Sequence, residues 1–152
     1  MFRGSHEHAI DAKGRTSLPA RFRDALATAG ESRIVLTPDV VQSYLRVYPL
    51  AEWNRQEAAL SEDGEFDDVS STARRFAIGD CADCDVDKLG RVLIPAALRE
   101  RVGLERDVVW VGVGKSIELW DKARHAAMRA EVFGNADRLH AVAKHLSAVR
   151  AK

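Results

Sequence analysis

Part of this sequence is written twice, and that constrains its fold more than any other feature. Asp11-Ala12-Lys13-Gly14-Arg15-Thr16-Ser17-Leu18-Pro19-Ala20-Arg21-Phe22-Arg23 returns 76 residues later as Asp87-Lys88-Leu89-Gly90-Arg91-Val92-Leu93-Ile94-Pro95-Ala96-Ala97-Leu98-Arg99. Six of the 13 positions are identical, where random matching at average residue frequencies gives about one. Leu18/Ile94 and Phe22/Leu98 keep apolar character. A fainter echo pairs Leu45-Arg46-Val47-Tyr48 with Ile117-Glu118-Leu119-Trp120, each closing an alternating strand before a helix. The chain is a duplicated half of roughly 70–76 residues, and a repeated unit implies a repeated piece of structure.

Each half predicts the same order of elements. A strand approaches the motif, over Phe2–Ile10 in the first half and Ala77–Val86 in the second. Asp-x-x-Gly then makes a tight turn. The Asp side chain accepts an N–H two residues on, and Gly supplies positive φ. Short strands follow at Arg15–Leu18 and Arg91–Ile94, stopped by prolines suited to a helix start. The helices Pro19–Ala29 and Pro95–Val102 place Phe22, Ala25 and Leu26, or Leu98 and Val102, on one face. Strand pairs follow at Arg33–Thr37 with Tyr44–Tyr48, and at Val108–Val111 with Ser116–Trp120. Further helices run over Leu50–Leu60 after Pro49 and from Lys122 to about Val132 after an Asp121 cap. The resulting organisation is a first half at 1–60, an acidic linker with a short helix at 61–76, a second half at 77–133 and a helical tail at 134–152. In the tail, Leu139, Val142, Ala143, Leu146 and Val149 form an amphipathic stripe that needs a partner surface.

Length and composition narrow the function classes. A chain of 152 residues, 46% hydrophobic and 30% charged, buries a core without disulfides or metals. No apolar run approaches the roughly 18–20 residues of a membrane span, and the start has no signal-peptide core. Two cysteines cannot form a disulfide scaffold, which predicts a reducing cytoplasm. The net charge is zero but segregated: +1 over residues 1–60, −6 over 61–90 and +5 over 91–152. Arg outnumbers Lys 17 to 6, and Arg favours bidentate contacts to carboxylate or phosphate.

Cys81-x-x-Cys84 is a weak zinc or redox signal. On an extended strand, residues three apart face opposite ways, with Cα atoms about 10 Å apart where a disulfide tolerates under about 7 Å. His6 and His8 lie on the equivalent strand, so a Cys₂His₂ site is imaginable, but half-buried structural side chains are the expected reading. No phosphate-binding glycine loop, His-Glu-x-x-His or nucleophile elbow is present, so the chain is read as a non-enzyme without metal or cofactor.

Asp-x-x-Gly-Arg carries more. Asp11 and Asp87 suit turn geometry, and Arg15 and Arg91 can pair with them across the bend. That pairing leaves Lys13 and the flanking arginines unexplained. Fixed loops that display Lys and Arg grip phosphates, and Arg donates bidentately to guanine in the major groove, which a turn or ribbon is slim enough to enter.

Two copies of Asp-x-x-Gly-Arg-x-x-[apolar]-Pro in small mixed halves resemble the MraZ proteins of bacteria. The likeness extends to Met1-Phe2-Arg3-Gly4, to Tyr48-Pro49-Leu50-Ala51-Glu52-Trp53 and to Lys115-Ser116-Ile117-Glu118-Leu119-Trp120-Asp121. It runs from residue 1 to about 121; the last 30 residues carry no family signature. The resemblance implies an α+β fold of two tandem AbrB-like swapped-hairpin β-barrel halves with flanking helices. It also implies a homo-oligomeric ring and a cytoplasmic, nucleoid-associated transcriptional regulator of the division and cell-wall gene cluster. Such a regulator binds double-stranded promoter DNA at direct repeats of a short G-rich box upstream of its own gene. The family's basic turn residues map onto Lys13, Arg15 and Arg91, with Arg3 as a further DNA contact and Asp11, Gly14, Asp87 and Gly90 forming the turns. Because Leu89 replaces Lys13 in the second copy, a weaker second turn is expected. The competing reading is a ring-forming protein-interaction scaffold or antitoxin-like module that does not bind DNA. It draws on the neutral charge and the amphipathic tail. A metal-dependent enzyme is a third, weaker reading.

Overall fold

The computed structural model describes residues 1–64 and 66–152; Glu65, in the acidic stretch, lies outside the described residues. The chain divides into two units, Met1–Lys122 and Ala123–Lys152.

The first unit is mixed α+β. In chain order it holds β1 (Phe2–Ala9), β2 (Arg15–Ser17), α1 (Ala20–Thr28), β3 (Arg33–Pro38), β4 (Tyr44–Pro49) and α2 (Leu50–Ser61). The second half adds α3 (Asp68–Arg74), a π-helical turn at Arg75–Gly79, β5 (Ala82–Asp85), β6 (Arg91–Leu93), α4 (Ala96–Val102), β7 (Asp107–Gly114) and β8 (Ile117–Asp121). Prolines set the punctuation. Pro19, Pro49 and Pro95 cap α1, α2 and α4 with φ of −52°, −56° and −54°, since the ring fixes φ and removes the N–H that would continue a ladder.

The halves do not fold side by side; they exchange strands. The main sheet is antiparallel in the order β1-β7-β8-β4-β3-β5, and β2 pairs with β6 in a separate ribbon. Thus β1 of the first half lies on β7 of the second, while β5 of the second lies on β3 of the first. Replacing each strand by its counterpart in the other half reverses the order and leaves it unchanged. The pseudo-twofold axis therefore passes between β4 and β8. This sheet is open, with β1 and β5 at its ends, rather than the closed barrel expected of each half. Each half has too few strands to close on its own, and its first strand is spent on the other half.

One core serves both halves. Phe2, Leu18, Phe22 and Leu26 cluster with Val92, Ile94, Leu98 and Val102 around the fully buried Trp110. Leu18 and Ile94, equivalent in the repeat, are both completely buried, each contributing on the order of 1.5–3 kcal/mol. At Gly112, opposite Gly4 in the β1–β7 pairing, any side chain would overlap the backbone of Phe2 and Arg3.

The expected strand at Ala77–Val86 is shortened to Ala82–Asp85. Asp67 accepts the Ser70 amide at 2.9 Å and starts α3, and the helical run continues through Phe76 and Ile78 to Gly79. The Ala77 carbonyl accepts from the Thr37 hydroxyl at 2.8 Å, which fixes this turn against β3. Cys81 therefore precedes the strand instead of lying on it. Asp121 is buried and accepts the Glu105 amide at 3.3 Å, tying the α4–β7 connection to β8.

The second unit holds most of α5 (Lys122–Phe133) and all of α6 (Ala136–Arg150), with Asn135 capping α6 by accepting the Arg138 amide at 3.0 Å. Val142, Leu146 and Val149 of the apolar stripe are exposed. No helix among the described residues is long and apolar enough to cross a membrane.

Candidate nucleic-acid interface

The two Asp-x-x-Gly-Arg segments form the same turn, bond for bond. In the first, Asp11 Oδ1 accepts the amides of Lys13 and Arg15 at 2.9 Å each, and Oδ2 accepts Arg15 Nε at 2.8 Å. The main chain closes the loop, with the Asp11 amide on the Arg15 carbonyl at 2.8 Å and the Gly14 amide on the Asp11 carbonyl at 3.0 Å. In the second, Asp87 Oδ1 accepts Leu89 and Arg91 amides at 2.9 and 2.8 Å, and Oδ2 accepts Arg91 Nε at 3.0 Å. Its main-chain bonds, Asp87 to Arg91 and Gly90 to Asp87, are both 2.9 Å. Gly14 and Gly90 take φ of +86° and +77°, a region costly to residues with a Cβ.

The carboxylates are held ionised. Asp11 and Asp87 both lie below the usual carboxylate range, chiefly through the backbone N–H of Arg15 and Arg91, and then through the guanidinium and the remaining amide. Each turn thus presents a fixed Asp–Arg pair with the arginine about a third exposed, leaving edges of both groups for a partner.

The interlocked ribbon sets where the turns lie. β2 and β6 run antiparallel with Arg15 opposite Leu93 and Ser17 opposite Arg91. The Ile94 amide donates to the Gly14 carbonyl at 2.9 Å, and the Leu18 amide donates to the Gly90 carbonyl at 2.8 Å. Each turn is therefore anchored by the other half's strand. Since Gly90 lies across from Leu18, four residues beyond Gly14, the turns sit roughly 14 Å apart at about 3.4 Å per residue.

The structure brings together Asp11, Lys13, Gly14 and Arg15 at one end of the ribbon, and Asp87, Gly90 and Arg91 at the other. It does not bring Arg3 there. Arg3 sits opposite Val113 on β1, eight residues of near-extended chain before Asp11, or about 27 Å. The expected weakness of the second turn does not show in its hydrogen bonds, which match those of the first. Lys88, one position earlier than Lys13 in the repeat, is exposed on that turn and returns the cation that Leu89 omits. Each turn then carries one Asp, one Arg and one Lys.

Two residues escaped the sequence reading. Arg99 lies over Gly14, where an added methyl would come within 2.9 Å of its Nη2, and Arg23 lies over Gly90, where a methyl would overlap its guanidinium. Both glycines are buried. The signal was available, because Arg23 and Arg99 are the last identity of the repeat, but no local partner pointed to the other half.

Elsewhere the chemistry is quiet. Cys84 Sγ donates to the Leu93 carbonyl at 3.4 Å, and burial followed by Asp83 and Asp85 pushes its thiol up to about 11. Burial likewise raises Cys81. Among the described residues, no three His, Cys, Asp or Glu side chains are grouped to hold a metal ion. An open groove of about 590 Å³ is lined by Asp80, Cys81, Pro95, Leu98 and Arg101 among others, none of them in either turn.

The chain matches a family described as "MraZ protein, putative antitoxin-like" over residues 1–76 and 78–145. A protein of Anaeromyxobacter sp. (strain Fw109-5) named "Transcriptional regulator MraZ" is 44% identical over 131 residues, covering 86% of this chain and 90% of its own. Proteins of the same name from Marinomonas sp. (strain MWYL1) and Thiobacillus denitrificans (strain ATCC 25259 / T1) are each 40% identical over 131 residues. They cover 86% of this chain and 87% and 88% of their own.

Proposed function

The chain belongs to the MraZ family, and from that premise we propose that it is a transcriptional regulator that binds promoter DNA through its two Asp–Arg turns. The observation that carries this reading is the duplicated turn itself. The same five hydrogen bonds hold the same cationic edge at both ends of one ribbon. A rigid, partly exposed Arg on a turn that also carries a Lys suits both phosphate grip and base reading. Lys13, Arg15 and Arg91 are the contacts, joined by Lys88; Arg3, at the far end of β1, serves at most a separate stretch of phosphate.

The strand exchange across a pseudo-twofold axis supports a duplicated AbrB-type swapped-hairpin arrangement, with sequence halves 1–60 and 77–133 completing each other's sheets. The protein acts without catalysis or cofactor, in the cytoplasm at the nucleoid. It works as a homo-oligomeric ring on direct repeats of a short G-rich box upstream of its own gene in the division and cell-wall cluster. A chain of zero net charge has no overall basic field and only two cationic turns to offer, so a ring supplies the grip. Once one turn is engaged, the next is held near its box, and avidity rises by about 10²–10⁴ without new contacts.

A second reading, a ring-forming scaffold or antitoxin-like module without DNA binding, is favoured by the exposed Val142, Leu146 and Val149 on α6. One titration separates the two. Duplexes from the DNA upstream of the native gene, with one, two and all boxes, are measured by anisotropy at fixed salt. DNA regulation through a ring requires affinity that climbs steeply with box number and falls with salt. Absence of any salt-dependent binding favours the scaffold.

A further inference from the structure

We propose that Arg99 and Arg23 are DNA phosphate contacts supplied across the duplication, each completing the other half's turn. The inference rests on the DNA-binding reading and adds two residues to it.

The six identities of the repeat have physical roles that can be assigned one by one. Asp accepts the turn amides, Gly takes positive φ, the first Arg pairs with the Asp, and Pro-Ala starts the helix. The last Arg, among the described residues, pairs with no carboxylate of its own half. Arg99 Nε donates to its own Ile94 carbonyl at 3.0 Å, and that bond points the rest of the guanidinium over Gly14 of the first half. Arg23, by pseudo-symmetry, lies over Gly90 of the second half and lines a cleft of about 200 Å³ with Asp87, Lys88 and Gly90.

Charge accounting separates these arginines from Arg15 and Arg91. The latter are each paired with a carboxylate of their own turn. Among the described residues, Arg99 and Arg23 are in none of the ion pairs, although carboxylates are plentiful. A guanidinium without a carboxylate partner keeps its donors for an external anion, whether tethered like Arg99 or exposed like Arg23, and Arg matches phosphate with two parallel N–H groups. With Arg99, the first turn's charge rises from one surplus cation to two; Arg23 does the same for the second. The interface is therefore composite. Removing an arginine from one half weakens the other half's turn.

The test is fluorescence anisotropy of the full-length protein at several salt concentrations. Two duplexes of equal length are used: the DNA upstream of the native gene and a scrambled sequence. Arg99→Gln and Arg23→Gln keep a donor and an apolar stem over the glycine while removing the charge. Each is expected to weaken binding to both duplexes by a similar factor, several-fold at low salt. Each should also flatten the slope of log affinity against log salt by at least about 0.9, the share of one phosphate contact. The thermal midpoint should stay at the wild-type value, and the Lys variants should restore the slope in part. Wild-type slopes in both Gln variants would overturn the proposal while leaving the DNA reading intact. An affinity loss confined to the upstream duplex would overturn it as well, since phosphates carry no sequence. If the wild-type protein itself binds neither duplex, the DNA reading fails first and this proposal falls with it.

Discussion

The first turn, Asp11–Arg15, and the second, Asp87–Arg91, share three residues of five and reach the same backbone. Their hydrogen bonds agree within 0.2 Å, and their glycines differ by 9° in φ. What differs is the residues that no turn bond requires. Lys follows Ala in one and precedes Leu in the other. The covering arginine is half-buried and bonded to the Ile94 carbonyl over the first turn, and over the second it is exposed, with no such bond among the described residues. Shape is thus encoded by Asp, Gly and Arg alone, and the position of the extra cation is free to drift provided it remains on the turn.

The sharpest way to break this equivalence is to remove the paired arginines. On the proposed DNA-binding role, Arg15→Ala deletes a cation and leaves the Asp11 carboxylate on that face without its partner, a double penalty. We expect specific affinity to fall roughly 5- to 150-fold, corresponding to the loss of about 1–3 kcal/mol for a base-reading arginine. Fold and oligomeric state should survive, because the two backbone N–H groups still hold Asp11. Arg91→Ala should match it within about threefold, given Lys88 and the shared geometry. A titration in which Arg91→Ala binds the upstream duplex like wild type would restore the unequal turns that Leu89 alone suggests.

How far the turns were legible in sequence follows from how local their physics is. An Asp accepting amides two and four residues on, and a Gly at positive φ, involve only neighbours, so the motif announced itself. The strands and helices after it were legible for the same reason, bounded by Pro19, Pro49 and Pro95. Strand exchange was not, because pairing β1 with β7 or with β3 satisfies the same alternation of apolar residues. Nor was the shortened β5. Phe76, Ala77 and Ile78 suit a strand, but the Asp67 cap and Thr37 bond draw them into a helical turn. Arg23 and Arg99 were visible as identities and opaque as contacts, since each lies over a glycine of the other half, far away in sequence.

The covering arginines sharpen the comparison at the level of stability. Gly14→Ala and Gly90→Ala both force a Cβ into positive φ at about 1–2 kcal/mol, which lowers the thermal midpoint by roughly 2–8 °C for a chain of this size. Both must also push an arginine aside. Arg99 is tied to the Ile94 carbonyl, whereas exposed Arg23 swings away easily, so Gly14→Ala should lose more. Equal midpoints in calorimetry would mean that the Arg99 tether adds nothing to the first turn.

The smallest expected effect comes from the strands that lead into the turns, where the repeat places His8 against Cys84. Both face a β-strand of the other half, His8 opposite Val108 and Cys84 opposite Ile34. The Cys84 thiol, near 11, stays protonated through neutral and mildly acidic solution. His8 is different. Burial first, then His6 and Arg23, lower it from its ordinary value of 6.5, so the folded protein favours the neutral imidazole. Below about pH 6.5 the unfolded chain binds this proton before the folded chain does, and stability then rises with pH. Lowering the pH from about 7.5 to 5.5 should therefore lower the thermal midpoint slightly, and the decline should level off once folded His8 is itself protonated. His8→Gln removes the titrating group and should flatten the profile across this window, while Cys84→Ser should leave the slope as it is. A His8→Gln protein that keeps the full pH dependence would assign it to another group and leave the two lead-in strands alike in their response to acid.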